Sequence, residues 1–418
     1  MKTLLYFEEY VSPLSKKLQE RNDIFLIKIR LLNSLVRNFT SEEIGDTSVK
    51  TYVFDNSKIA DFNLEIHKMK NWIEYHNYKI DYFLNDSEYY LEYANKIARA
   101  LNLDSLSEEQ VRWVRDKVDM KKKFNEIGMK TVDYAPVESK EDIKKFFYKN
   151  ECNPIIFKPR RGMNSKDVYK ITSIEDIDNL NITFSNEKYM VESFCEDHEW
   201  SIESLVQDGK VLDSYVTYIP NPTIWASISN NLNCHMTVPK LPNYFKFVPK
   251  EFIQQIVDGM ELKNGAMTIE VFINKKGEIM PSELGWRLPG CQATTNHSLS
   301  YGIDIYNSLI DIAVHKPVNL VYRNPLVSVG DLYLPNKEGE IDEITTLEDL
   351  KNYPGFIDGE MFVKKGDYSK KRRVGNDASG WVQVMGINEE DTLRKMTNIF
   401  DNFIIKTKEE RGKIYEKK

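Results

Sequence analysis

Across residues 1–112 short apolar runs alternate with amphipathic stretches. "TLLYF" (3–7), "IFLIKI" (24–29) and "TYVFD" (51–55) read as strands, and "SPLSKKLQERN" (12–22) as a helix. In "NDSEYYLEYANKIARALNL" (85–103) Tyr89, Leu91, Ala94, Ile97, Ala98 and Leu101 recur near helical spacing. The segment predicts a small α/β unit, without the GxGxxG of a dinucleotide site. "EEQVRWVRDKVDMKKKFNEIG" (108–128) predicts one helix, with Val111, Val114, Val118 and Phe124 on its inner face and Gly128 ending it.

"TVDYAPV" (131–137) predicts an extended segment, and Ser139 and Ser173 stand where N-caps of two further helices belong. "NPIIFKPRRGMNSKDVYKI" (153–171) predicts a hairpin whose tip carries Lys158, Arg160, Arg161 and Lys166. That concentration of positive charge points to an anion. Strands dominate thereafter: "KYMVESF", "WSIESLVQDGKVLDSYVTYI" and "GAMTIEVFINKKGEIMPSELGW", the last two turning at Asp208–Gly209 and Lys276–Gly277. A helix over 300–315 follows, then short strands from about 318 and "NEEDTLRKMTNIFDNFIIK" (388–406). Internal repeats and low-complexity linkers are absent from the sequence.

A length of 418 residues calls for two or three domains, and 41% hydrophobic with 29% charged residues is ordinary globular composition. The net charge of −7 argues against nucleic acid as the main partner. Lys370–Lys371–Arg372–Arg373 reads as a solvated loop. The first residues are too charged for a signal peptide, and no run reaches the ~18 apolar residues of a membrane span. Four scattered cysteines, without metal-ligand spacing, fit reduced thiols in a cytoplasmic protein.

The turn at Lys276–Gly277 lets Glu270 and Glu283 lie opposite one another on paired strands. Two carboxylates that close need a cation between them, and a hard divalent ion such as Mg²⁺ suits oxygen ligands. In an ordinary hairpin one of the two would instead face solvent. Phosphate-binding lysines followed by acidic metal ligands imply a nucleoside triphosphate. GxxxxGK[ST] does not occur, so the device is not a Walker A loop.

In order and spacing, residues 114–290 resemble the ATP-grasp superfamily, which includes D-alanine–D-alanine ligase, biotin carboxylase and L-amino acid ligases. The resemblance implies an α/β and α+β multidomain fold. A Rossmann-like α/β domain (1–112) would precede the ATP-grasp core (113–315, lid about 125–205), and a mixed C-terminal lobe (316–418) would follow. It makes Lys117 and Lys158 the phosphate lysines, and Gly162–Ser165 the loop over the phosphates. Backbone groups at Ser193 and Cys195 would meet adenine, with Glu192 nearby, and Glu199 would take the ribose hydroxyls. Glu270 and Glu283 become ligands of Mg²⁺, for which Mn²⁺ could substitute, and Arg287 steadies the transferred phosphate or the tetrahedral intermediate.

Two departures stand out. Glu283–Leu284–Gly285 replaces the Glu-x-Asn of many members, removing one metal ligand, and the loop "GMNSKDV" is poor in glycine. The implied reaction uses ATP to activate a small-molecule carboxylate, such as an amino acid, as an acyl phosphate that an amine then attacks, releasing ADP and phosphate. A carrier-protein thiol as acceptor and an inactive nucleotide-binding scaffold are the alternatives, and the family's habit makes a homodimer an option. Residues 218–243 would line the acceptor or carboxylate site. Trp225 and His235 are the notable side chains there, His235 read as a substrate contact or structural residue before a base.

Overall fold

The computed structural model describes residues 1–34, 39–58, 61–163, 166–185, 187–221, 231–243, 245–323, 326–370 and 377–408. Ser165, Trp225 and Lys371–Arg373 therefore lie outside the described residues. The chain begins with a parallel sheet ordered Lys50–Asp55, Ile24–Leu32, Lys2–Glu8, Tyr82–Asn85. Its two central strands are buried almost throughout, as a sheet covered on both faces requires. Helix Pro13–Gln19 starts from a Ser12 capping box, and helix Leu91–Ala100 covers the predicted amphipathic stretch. Helix Phe62–Tyr75, outside the sequence reading, buries the stripe Ile66, Met69 and Ile73.

Two predicted helices are each broken in two. Residues 108–128 form helices Glu108–Arg115 and Lys117–Glu126, separated by Asp116 in an extended conformation (φ −96°, ψ 110°). The Asp116 carboxylate accepts from the amides of Val118 and Asp119 and so restarts the helix as its N-cap. The second helix turns Lys117, Met120, Lys121 and Phe124 inward, and Val118 is not on the buried face. Likewise, helix Ala293–Tyr301 ends at left-handed Gly302 (φ 65°), and helix Ile305–Ala313 starts afresh from Asp304.

Strands Tyr134–Val137, Tyr189–Ser193, Ile155–Pro159 and Tyr169–Ile171 form a separate antiparallel sheet, with the last two paired as the predicted hairpin. Its core of Phe146, Phe147, Phe157 and Val191 is its own. The central sheet has eight strands in the order Ile279–Gly285, Gly265–Ile273, His198–Gln207, Lys210–Tyr218, Asn233–Thr237, Ser328–Tyr333, Gly380–Gly386, Phe356–Met361. It runs across residue 316, so the last hundred residues extend the sheet that holds the paired glutamates. Apolar residues from helices Glu108–Arg115, Lys117–Glu126 and Pro249–Gly259 pack with those of the sheet in one core. A second core joins the sheet, helix Ile305–Ala313 and the N-terminal domain. No helix among the described residues is long and apolar enough to cross a membrane.

Candidate active site

The break at Asp116 is where the site begins. Lys117 opens the new helix at the positive end of its macrodipole, a position that disfavours a cation and favours a bound anion. Its Nζ donates to the Gly162 carbonyl (3.1 Å) and pairs with Glu283 (2.7 Å). Asp116 accepts from Arg160 Nε (2.9 Å) and Arg161 Nε (3.3 Å), while the Lys117 amide donates to the Arg160 carbonyl (3.0 Å). The two arginines of the hairpin tip thus brace the hairpin against the lysine helix. Lys166 lines the cavity beneath it.

Lys158 ends the first hairpin strand with its side chain inward, pairing with Glu192 at 2.6 Å. The other Glu192 oxygen faces Lys121 at 3.2 Å, and Lys121 also donates to the Ser282 carbonyl (3.2 Å). Burial works against the Glu192 charge, but the two ammonium groups outweigh it and hold its pKa down to about 2. Glu192 is therefore a brace between two lysines. Lys121, 0% exposed, was missed by the sequence reading, although it lies four residues from Lys117 on the same helix face.

The register pairs Glu270 directly with Glu283, and Glu270 with Ser201 on its other side. Both glutamates line one cavity of about 320 Å³ together with Lys117, Lys158, Glu199 and Arg287. Burial, then the charges of Glu199 and Glu283, push the Glu270 carboxyl well above the usual carboxylate range. A carboxyl so placed gains from a cation beside it, so the pair fits a hard divalent ion.

Arg287 is held from the N-terminal domain. Its Nε donates to Glu88 (2.7 Å), Nη2 also meets Glu88, and Nη1 donates to the Leu288 carbonyl (2.7 Å). Arg115 takes the other Glu88 oxygen (2.9 Å), and the two arginines hold that carboxyl below its usual range against the cost of its burial. Glu88, too, was not anticipated.

Ser193 spends its amide on the Asp133 carbonyl (2.9 Å) and its hydroxyl on Asn150 (2.8 Å). Cys195 follows in the same segment, its thiol pushed up to about 11 by burial. Ser193, Cys195, Gly162 and Glu192 all line the cavity. Its far end is formed by Glu203, Thr217, His235 and Cys291. There Glu203 accepts from Thr217 (3.0 Å) and meets His297 Nε2 at 2.8 Å.

Residues 151–295 match the family model of the ATP-grasp domain. The chain is 24% identical over 267 residues to the L-arginine-specific L-amino acid ligase of Bacillus subtilis, a match covering 62% of this chain and 64% of that relative. The chain thus matches just under two thirds of the relative's length. The L-amino acid ligase of Bacillus licheniformis superposes with a TM-score of 0.76 at 16% identity, covering 98% of this chain and 99% of that one. Phosphoribosylglycinamide synthetase of Anaerococcus prevotii gives a TM-score of 0.67 at 18% identity, covering 97% and 100%. Residues 151–295 thus match an ATP-grasp domain, and the architecture of the chain, from the N-terminal parallel sheet to the antiparallel sheets that follow, is the ATP-grasp fold.

Proposed function

We propose that the protein uses ATP to activate a carboxylate, with an amino acid as the first candidate, and joins it to an amine with release of ADP and phosphate. The observation that carries this reading is the pairing of Glu270 with Glu283 in the same cavity as Lys117, Lys158 and Arg287. Few other functions need two opposed carboxylates, two buried ammonium groups and a guanidinium around one space. The kinship to L-amino acid ligases supplies the amide-forming direction.

In this reading the triphosphate lies between the lid hairpin and the central sheet. Lys117 and Lys158 meet its oxygens and spread the charge of the transferring phosphoryl group. Cys195 offers its backbone to the adenine edge and Glu199 accepts from the ribose. Glu270 and Glu283 would hold Mg²⁺, which when bound supplies charge neutralisation on the phosphates. Lys121 keeps Glu192, and through it Lys158, in place. Arg287, fixed by Glu88, aims its guanidinium at the acyl phosphate and at the oxyanion that forms on amine attack. The lid excludes water from an intermediate that water would hydrolyse.

The test is ADP release with L-amino acids singly and in pairs, arginine among them because the Bacillus subtilis relative is named for it. ADP release that depends on an acid and amide formation that depends on an acid and an amine together are expected. Acid-independent ADP release without any amide product would contradict the reading.

A further inference from the structure

A second cavity, of about 580 Å³, shares Arg287 with the one that holds the paired glutamates. Its volume falls in the range of small-molecule sites. Strand Tyr82–Asn85 and helix Leu91–Ala100 of the N-terminal domain supply one part of its wall, and helix Glu108–Arg115 another. Gly265, Trp286 and the end of helix Ile305–Ala313 supply the rest. Leu84, Leu91, Leu309 and Ile312 are buried in that wall, whereas Asp81, Asp104, Glu109 and Glu261 are exposed at its edge. Against these four carboxylates stand Lys263 and His315, which meets Asp104 at 3.2 Å. The Arg287 charge is already met by Glu88. The cavity is therefore apolar within and acidic at its mouth.

Two kinds of donor in this cavity have bonding capacity left. Arg287 has five N–H groups, of which two go to Glu88 and one to the Leu288 carbonyl, leaving two. Trp286 is 9% exposed and packs against Gly265, where a Cβ would come within 2.8 Å of the indole. Its N–H, which can only donate, has no hydrogen-bond partner among the described residues. At the mouth, Glu109 and Glu261 have no ion-pair partner among the described residues. A ligand that satisfies all of these carries a carboxylate for the guanidinium, a carbonyl for the indole, an apolar side chain for the wall and an ammonium for the mouth.

Such a ligand is a zwitterionic dipeptide. Resting on the function proposed above, we propose that the second cavity binds the amide product and that bound product slows the enzyme through Arg287. The proposed reaction turns the free N–H groups of Arg287 towards the acyl phosphate. A product carboxylate arriving from the second cavity takes the same groups and withdraws them from the reacting end. Lys117 and Lys158 do not line the second cavity, so nucleotide binding is left alone. Two sites that share one guanidinium are coupled, and the coupling here is inhibitory.

Glycyl-L-phenylalanine is the probe. In equilibrium dialysis without nucleotide, wild type should bind one equivalent more than Ala313→Trp, whose side chain fills the cavity from helix Ile305–Ala313. Glu109→Gln combined with Glu261→Gln, both exposed, should weaken that binding roughly threefold to tenfold. At saturating ATP, acid and amine the dipeptide should lower kcat about fivefold or more in wild type, leave the KM for ATP within about twofold, and have no effect on Ala313→Trp. Equal stoichiometry in wild type and folded Ala313→Trp would overturn the site. Should Ala313→Trp not fold, unchanged affinity in the double glutamine variant would overturn it instead. Inhibition that survives in Ala313→Trp would overturn the coupling, and inhibition by free L-phenylalanine but not by the dipeptide would overturn the product assignment. If no pair of amino acids yields an amide, the dialysis still decides the site, and that failure belongs to the proposed reaction.

Discussion

The two ends of the cavity treat buried carboxylates in opposite ways. At the end proposed to hold the triphosphate Glu192 faces Lys121 and Lys158, Glu283 faces Lys117, and Glu88 faces Arg115 and Arg287. At the far end Glu203 and Asp331 are held by histidines and neutral donors: Ser201, Thr217 and His297 for one, His235 and Asn296 for the other. Arginine stays charged at working pH, and although burial pulls Lys121 down, Glu192 and Glu283 hold Lys158 above its ordinary value against its own burial. The first end thus offers a lasting positive field, suited to a triphosphate and a transferring phosphoryl group. The second end instead satisfies its carboxylates through hydrogen bonds from neutral donors and imidazoles, which add no permanent charge to the cavity. Glu270 stands apart within the first end, because its strongest neighbours are other carboxylates.

The largest break in this contrast comes from the fixed field. Glu283→Gln should lower acid-dependent ADP release by roughly a thousandfold, since it removes both the partner of Lys117 and half of the proposed cation site. Circular dichroism should be unchanged, and an active Glu283→Gln protein would refute the cation assignment.

Lys121→Met leaves one oxygen of a buried carboxylate unpaired and should cost about 3 kcal/mol of stability, measured by urea unfolding. The sign with pH follows from the depressed Glu192 value. Its stabilisation is complete above the ordinary carboxylate pKa and is lost as pH falls towards about 2. In Lys121→Met the Glu192 value moves up towards the ordinary one, so this pH-dependent loss should be smaller and complete at a higher pH than in wild type, and coincident pH–stability profiles would count against the brace.

How much of this was legible in the sequence depended on distance along the chain. Glu270 and Glu283 were readable because a single turn fixes their register, and Lys158 because it ends a recognisable strand. Lys121 and Glu88 were not, for their partners Ser282 and Arg287 lie 161 and 199 positions away. Periodicity reports which face of a helix is buried but not what it meets. Apolar spacing bridges Asp116 and makes the Lys117 helix look like a continuation, although an Asp before a helical run is itself an N-cap signal. His235 is ambiguous in the sequence for the same reason: its partner Asp331 lies 96 positions on.

A gentler effect is expected from pH on cation binding. Because Glu270 holds its proton to an unusually high pH, a bound cation must displace it. The apparent Mg²⁺ affinity should fall about tenfold for each pH unit of acidification while that carboxyl stays protonated, as read from Mg²⁺ titrations of ADP release. A flat profile would mean the proton is not there.

The smallest change concerns Gly285. The nearest atoms that a Cβ at this position would meet belong to the Arg287 side chain, at 3.7 Å, an ordinary contact, so Gly285→Asn should fold with a melting temperature close to wild type. It should tighten metal binding by no more than about tenfold by adding one neutral oxygen. A large gain in turnover would show that the glycine limits the enzyme.

The central claim, that a carboxylate becomes an acyl phosphate in this cavity, is tested most directly by isotope transfer. The acid that stimulates ADP release, labelled with ¹⁸O in its carboxylate, should pass one labelled oxygen to each phosphate released. Unlabelled phosphate accompanying amide product would contradict the account.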